Sequence, residues 1–192
     1  YLIYTDKVNY YKNKEIIFTE NKSKAIDLND NIVLTATDFE YNIFLNTITA
    51  KKNVVVEDNV QDYKIYADFL EYYKAEDKLI TKGKTSAKVK SKYNIKSKNV
   101  VLMRNLFELY SDEKTTITDN LNLYNLSRFK YFINKEELIG EKITISSNYN
   151  LPKNDKFYFE SGRIDLSNQN FVASDTEILL HKEIFDDSNN DP

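Results

Sequence analysis

A repeat of about 31 residues runs along this chain of 192 residues, and it restricts the possible folds more than any other feature. Tyr10, Tyr41 and Tyr72 are separated by 31 residues each. Two further series keep the same interval: Ile17, Ile48 and Leu79, and Thr5, Ala36 and Ala67. Looser copies follow, so that about six units cover most of the chain, and such repeats bury a continuous core by stacking each unit on the next.

Within each unit, apolar and polar residues alternate with a period of two. Ile65, Ala67 and Phe69, for example, alternate with Tyr66 and Asp68. This alternation is typical of a β-strand with one apolar face and one solvent-exposed face. A unit of this length accommodates two strands of about 8 to 10 residues with their turns. The sequence therefore predicts an all-β chain of about a dozen strands, antiparallel and joined in one elongated sheet structure.

Composition predicts one domain over residues 1–185, since no linker divides the chain. The segment from Asn148 to Lys156, which contains Pro152, is the expected loop insertion. Residues 186–192 are acidic and end in Pro192, which predicts an extended exit segment. No signal peptide or membrane-length apolar run is present, and the chain begins without Met, so we interpret it as part of a longer precursor.

In the second strand of each unit, a large apolar residue is followed two positions later by a small one. The pairs are Ile17/Thr19, Ile48/Ala50, Leu79/Thr81, Leu109/Ser111, Leu138/Gly140 and Phe171/Ala173. Stacked units would place an apolar ladder beside a ladder of small residues, because residues two apart share a face. This pattern predicts either a groove for alkyl chains or ordinary core packing with two sheets in close approach.

The sequence lacks the residues that most catalytic and metal sites need. There is no cysteine, and His181, expected at the surface or at a strand edge, is the one histidine. Acidic pairs such as Asp38/Glu40 are better explained by solvated strand faces than by glycoside hydrolysis. We predict that the chain is not an enzyme and takes no cofactor and no metal.

The charge balance does not favour nucleic acid as a partner. The 27 basic and 30 acidic residues give a net charge of −3, without a basic arm. Lysines interleave with Tyr93 from Lys82 to Lys98, as in some single-strand binders. We interpret this stretch as a solvent-facing strand, because acidic residues balance it elsewhere and the apolar alternation continues through it.

One stretch of the repeat carries a family resemblance. The residues from Leu34 to Asp58 read LTATDFEYNIFLNTITAKKNVVVED, and the unit from Ile65 to Thr81 matches them. This pattern of strands and turns resembles that of the OstA-like domains of lipopolysaccharide transport. The family includes the periplasmic bridge protein LptA, the inner-membrane LptC and the N-terminal domain of the outer-membrane LptD. The pattern of strands and turns extends over the whole chain, whereas the residues that are characteristic of the family are confined to these two units and the last one.

The ending from Phe157 to Pro192 resembles the segment that precedes the LptD barrel. LptD usually has cysteines that tie this domain to the barrel, and this sequence has none. The resemblance implies a periplasmic domain attached to the outer membrane through a barrel outside this sequence, together with LptE. It also implies that LptA pairs with an open edge strand in the region from Tyr1 to Tyr11.

The resemblance further implies a twisted, V-shaped β-jellyroll, an open sheet pair whose interior takes the acyl chains of lipid A. Alternation assigns the faces, and the family assigns lipid binding to the inner one. The expected lipid-facing residues are Leu34, Ala36, Ile48, Ala50, Val54, Val56, Ile65, Ala67, Phe69, Leu79, Ile95, Leu109, Ile117, Leu138, Ile143 and Phe171.

Three alternatives remain open at this stage. The first is a free bridge protein of the LptA type with the same fold. The second is a parallel β-solenoid enzyme that acts on carbohydrate, although no column of acids recurs at the 31-residue period. The third is a structural or adhesin-type β-array with a filled interior and no lipid.

Overall fold

Nineteen β-strands make up the regular structure of residues 2–27 and 32–181, the part of the chain that this computed structural model describes. Three single 3₁₀ turns, Lys12–Lys14, Lys74–Glu76 and Arg104–Leu106, join strands. The strands are β1 (Leu2–Tyr4), β2 (Lys7–Tyr11), β3 (Ile16–Glu20), β4 (Ser23–Asp27), β5 (Ile32–Ala36), β6 (Asp38–Asn42), β7 (Thr47–Asp58), β8 (Tyr63–Tyr73), β9 (Lys78–Val89), β10 (Tyr93–Lys98), β11 (Val101–Met103), β12 (Glu108–Ser111), β13 (Thr115–Thr118), β14 (Asn122–Leu126), β15 (Arg128–Phe132), β16 (Glu137–Ser147), β17 (Lys156–Asp165), β18 (Asn170–Ser174) and β19 (Glu177–Leu179).

These elements form twelve long strands in an up-and-down meander, and each long strand bends near its middle. Five long strands, β7, β8, β9, β16 and β17, continue through the bend. In the other seven the bend separates two short strands, which are the pairs β1/β2, β3/β4, β5/β6, β10/β11, β12/β13, β14/β15 and β18/β19. Each long strand is antiparallel to its sequence neighbours. The all-β, antiparallel prediction is confirmed, and one 31-residue repeat corresponds to two consecutive long strands.

The bends fold the meander into two facing layers. Sheet I contains β1, β4, β5, β10, β13, β14, β19 and one half of each continuous long strand. Sheet II contains β2, β3, β6, β11, β12, β15, β18 and the other halves. The antiparallel pairing throughout the described residues excludes the parallel β-solenoid. The predicted loop insertion is the turn of residues 148–155 between β16 and β17.

In six of the twelve long strands the bend contains a residue in the left-handed backbone region, which kinks a strand and increases its twist. Gly83 has a φ of +80° at the bend of β9. Five of the other bends use residues that carry a side chain, namely Asn21, Lys22, Lys52, Asn53, Asn99, Lys142 and Asp175. Asparagine and aspartate tolerate this region better than most residues.

An apolar ladder with one residue from each long strand lines the inner face of each sheet. In sheet I it consists of Ile3, Ala25, Leu34, Val56, Ile65, Ala87, Ile95, Ile117, Tyr124, Ile145, Phe157 and Ile178. In sheet II it consists of Tyr10, Ile17, Tyr41, Ile48, Tyr72, Leu79, Leu102, Leu109, Tyr131, Leu138, Ile164 and Phe171. The tyrosine and isoleucine series of the repeat therefore alternate along a single ladder.

Gly140 lies where β16 passes the bend, and there is no space for a side chain. A Cβ atom at this position would lie 2.2 Å from Cδ2 of Leu126 and 3.1 Å from the carbonyl oxygen of Arg128. We expect Gly140→Val to lower the free energy of unfolding by about 2 to 3 kcal/mol through overpacking, measured by urea denaturation.

Gly83→Asn is the matched control, because nothing lies within 4 Å of its Cβ position and asparagine tolerates the positive φ. Its free energy of unfolding should stay within about 0.5 kcal/mol of the parent protein. Equal losses in both variants would contradict a steric role specific to Gly140.

The domain boundary at residue 185 and the exit segment 186–192 lie outside the described residues, as does Tyr1 of the predicted edge. The described residues contain no helix with the length and hydropathy of a membrane-spanning segment.

Candidate functional site

The candidate site is the interior between the two sheets, whose walls are the two apolar ladders. Side chains from opposite sheets meet there directly: the Tyr93 ring of sheet I packs edge-on against the Tyr131 ring of sheet II, with centroids 6.0 Å apart. All 24 ladder positions carry apolar or aromatic side chains. The interior is therefore a continuous apolar core that crosses all twelve long strands.

Fifteen of the sixteen predicted lipid-facing residues lie on the inner face. Sheet I's ladder holds Leu34, Val56, Ile65, Ile95 and Ile117, and sheet II's ladder holds Ile48, Leu79, Leu109, Leu138 and Phe171. Ala36, Ala50, Val54, Ala67 and Ile143 lie on the inner face close to the bends. The structure thus brings together residues that the sequence spreads over 138 positions.

Phe69 is the exception, because it lies on the outer face. Its cross-strand neighbours are Lys51 and Lys82, and the Lys82 ammonium lies 4.6 Å from its ring centroid. The pairing register shifts between Ala67 and Phe69, and such a bulge reverses which residues point inward. Ile65 points inward before the bulge, and the inward positions after the bulge are Leu70 and Tyr72.

The interior is filled rather than grooved along the row of small residues. Thr19, Ala50 and Thr81 alternate on that row with Phe39 and Leu70 from the intervening strands, and all five are buried. Hydroxyl groups complete the packing at the bends, where Oγ1 of Thr81 lies 2.7 Å from Oγ1 of Thr85. The pattern of large and small pairs therefore reflects close packing of the sheets, which is the second of the two alternatives drawn from it.

Within the part of the chain that the structure describes, both ends of the interior are uncovered. At the N-terminal end the sheet II ladder begins with Tyr10, which is 56% exposed, and Val8 beside it is also exposed. At the C-terminal end the sheet I ladder finishes with Ile178, which is 47% exposed. A cavity of about 170 Å³ opens there between Tyr124, Phe157 and Phe171. Inner-face residues that would be buried elsewhere in the fold thus face water at the two ends.

The turns of the two sheets meet along a line that we call the seam, formed by Asp27, Asp58 and Tyr93 of sheet I and Lys74, Arg104 and Glu136 of sheet II. Lys74 forms an ion pair with Asp27. The Tyr93 hydroxyl donates to Oε2 of Glu136 at 3.1 Å. Side chains therefore bridge the two sheets opposite the bends.

Arg104 is the centre of the seam and is largely buried, with 9% of its side chain exposed. Its guanidinium donates to Asp77 at 2.5 Å, to the Tyr63 hydroxyl at 3.2 Å and to Asp58 at 3.3 Å. Burial disfavours its charged form, but Tyr63 and Asp77 outweigh that cost, so the pKa of Arg104 is raised. Burial also raises the pKa of Tyr63, which therefore stays protonated. A cavity of about 220 Å³ adjoins this cluster.

The seam explains the uncovered ends. Its pairs join residues 43 to 47 positions apart, so each part of sheet I faces a part of sheet II that comes later in the chain. Because of this offset, the first strands of sheet II and the last strands of sheet I have no facing strand within the described residues. The exposure of Tyr10 and Ile178 follows directly from it.

The sequence predicted neither the seam nor seven of the twelve positions in each ladder. In sheet II only the second strand of each unit was expected to line the interior, whereas both strands contribute, so Tyr72, Leu102 and Tyr131 were not predicted. A signal for the seam was present, because Asp27 and Asp58 are 31 residues apart, at the period of the repeat.

The described residues hold no group of three or more His, Cys, Asp or Glu side chains placed to bind a metal ion. His181 is half-buried just after the edge strand β19, and its backbone N–H donates to Asp155 at 2.7 Å.

Fold and site together define an antiparallel, bent β-meander that encloses an apolar interior between two sheets. No protein-family model and no curated protein matches the sequence. Among solved structures, the chain is similar to LptH, described as the LptA homologous periplasmic component of the lipopolysaccharide transport device from Pseudomonas aeruginosa. The identity is 10%, the TM-score is 0.33, and the match covers 82% of this chain and 99% of LptH.

Proposed function

We propose that the chain takes part in lipopolysaccharide transport without catalysis, by holding acyl chains of lipid A between its two sheets. The observation that carries the proposal is the apolar interior, which is continuous across twelve strands and uncovered at both ends. An interior of this kind fits a ligand with several long alkyl chains, because binding then depends on apolar area and not on a polar motif. Each buried methylene contributes about 0.8 kcal/mol, so one chain of about 14 carbons contributes on the order of 10 kcal/mol before losses.

Acyl chains enter by separating the sheets at the seam or at the open C-terminal end. Within each sheet, backbone hydrogen bonds join every strand to the next, and separating them would leave buried N–H and C=O groups unpaired. At the seam, no backbone–backbone hydrogen bond among the described residues joins the turns of the two sheets, and side chains make the contacts, as between Lys74 and Asp27. The seam is therefore the line along which the filled interior can open at the lowest cost.

The partners follow from the two free edges. Among the described residues, β1 and β2 pair on one side only, as do β18 and β19. Such edges accept a strand from another chain. We propose that the N-terminal edge pairs with LptA, and that the C-terminal edge leads toward the LptD barrel and LptE. The chain would then be the periplasmic N-terminal domain of LptD, attached to the outer membrane through the barrel. A free bridge protein of the LptA type is the alternative that two uncovered ends favour.

A structural β-array without lipid is the second candidate, and the close-packed interior favours it. Site-specific photo-crosslinking distinguishes the two. A photoreactive residue is placed at inward Ile48, Ile65 or Leu109, and lipopolysaccharide is added to the purified chain. We expect labelling at these positions, because they lie on the two ladders.

The matched controls are Thr49 and Tyr110, the residues that follow Ile48 and Leu109 in their strands and point outward. Labelling there should be at background. Equal labelling of the inward and outward sets, or none at either, would refute lipid binding in the interior and leave the structural array.

A further inference from the structure

One segment concentrates the positive charge of the protein. Residues 78–107 contain nine basic residues and no acidic one, whereas the whole chain has 27 basic and 30 acidic residues. The rest of the chain therefore has 18 basic and 30 acidic residues, a net charge of −12. All 30 acidic residues lie outside this segment, so its positive charge is not balanced within it.

The structure places four of these nine charges together with Lys64 on the outer face of sheet I. We call Lys64, Lys84, Lys88, Lys96 and Lys98 the lysine face. Lys84 lies directly opposite Lys98 across β9 and β10, and Lys64 lies directly opposite Lys88 across β8 and β9. Like charges in directly opposed positions destabilise a sheet. This arrangement therefore opposes folding stability instead of supporting it.

Carboxylates do not compensate the lysine face. Glu57 lies 3.4 Å from Lys64, but within the described chain no carboxylate is within 4.0 Å of Lys84, Lys88, Lys96 or Lys98. The outer face of sheet II is different, because there cross-strand pairs match opposite charges. Lys82 and Glu71 are 3.0 Å apart, and Lys130 and Glu108 are 3.1 Å apart.

The surroundings of the lysine face are partly apolar. A groove of about 520 Å³ lies at the bend between Lys84 and Lys96, with Tyr66 and Ser86 on its walls and Asp68 as its one carboxylate. The Tyr66 ring is exposed among the lysines, and Val60 at the neighbouring turn is 67% exposed. Aromatic and aliphatic side chains beside cations are typical of a surface that contacts lipid headgroups.

We propose that the lysine face docks the protein onto an anionic phospholipid surface. The cations here are lysines, which are flexible and strongly hydrated point charges, and clusters of four to eight basic residues attract anionic leaflets. Protein interfaces instead favour arginine and are depleted in lysine. Mobile phosphate groups would relieve the repulsion between Lys84 and Lys98 and between Lys64 and Lys88. This docking is independent of acyl chains in the interior.

Vesicle sedimentation of the full chain tests the proposal. Vesicles of phosphatidylcholine with phosphatidylglycerol are compared with vesicles of phosphatidylcholine alone. We expect binding to the anionic vesicles only, and we expect it to weaken steeply from about 0.1 M to about 0.5 M salt. Replacing Lys84, Lys88, Lys96 and Lys98 by glutamine should lower the partition coefficient by about a hundredfold.

The matched control replaces four exposed lysines outside the face, Lys12, Lys14, Lys22 and Lys156, by glutamine. It removes the same charge and should change the partition coefficient less than about threefold. Equal losses in both variants, binding to neutral vesicles, or binding to soluble heparin without vesicle binding would each overturn the proposal. Labelling of lipopolysaccharide from Ile65 should be unchanged in the lysine-face variant. A failure of vesicle docking can therefore be distinguished from a failure of acyl-chain binding in the interior.

Discussion

Replacing Arg104 by methionine is expected to lower the free energy of unfolding by about 3 to 5 kcal/mol. Removing the guanidinium leaves the Asp58 carboxylate, only 1% exposed, without its cationic partner. Asp77 and the Tyr63 hydroxyl lose the same donor. An uncompensated buried charge costs more than the lost attraction alone, because water cannot replace the missing partner. Urea denaturation measures the change.

Two further variants test whether a buried, unpaired charge causes this loss of stability. Combining Arg104→Met with Asp58→Asn and Asp77→Asn removes the charges on both sides and should recover most of the lost stability. Arg128→Met breaks an exposed ion pair with Glu141 and should cost less than about 1 kcal/mol, because water screens that pair. If Arg128→Met cost as much as Arg104→Met, the seam would not be a special site of stabilisation.

The Arg104 variant also bears on function. If the seam is the line along which the sheets part, the triple variant should keep the fold and admit acyl chains more readily. Lipopolysaccharide labelling from Ile65 would then increase at equal protein stability. Labelling that does not increase would place the entry route at the open C-terminal end instead.

An Ile65→Asp substitution is expected to have the second large effect. Ile65 is 2% exposed on the sheet I ladder, between Val56 and Ala87. A carboxylate there would be desolvated without a partner, so the free energy of unfolding should fall by about 4 kcal/mol. Lipopolysaccharide labelling from Ile48 should be lost as well, because a charge in the interior opposes the passage of alkyl chains. Chemical denaturation and photolabelling measure the two effects.

The adjacent outward residue provides the control. Tyr66→Asp changes an exposed position and should leave stability within about 0.5 kcal/mol of the parent. Because Ile65→Asp can unfold the chain, Ile65→Thr, which introduces an uncharged hydroxyl and is smaller by one heavy atom, tests function in the folded protein. Full labelling from Ile48 in folded Ile65→Thr, equal to that of the parent chain, would remove Ile65 from the lipid path.

Local sequence patterns were sufficient to predict many residues of the candidate site. Ile48, Leu79 and Leu109 were assigned to the interior because period-two alternation is a property of the strand itself. Phe69 was misplaced for the same reason, since alternation reverses at a bulge and nothing in the residues around Asp68 marks the bulge. The lysines from Lys82 to Lys98 were correctly assigned to a solvent-facing strand, but their mutual opposition depends on which strands pair.

The amino-acid sequence alone determined the all-β class, the 31-residue unit and, except at Phe69, the inward side of the strands to which lining residues were assigned. These are local properties, set by side-chain alternation and by repetition along the chain. Only the tertiary structure decided that the interior is filled, that Asp58 meets Arg104 along the seam, and that the ends remain uncovered. Those features depend on the bend in each strand and on the offset between the two sheets, which join residues more than 40 positions apart. Contacts at that separation follow from how whole sheets stack, and no short stretch of sequence encodes them.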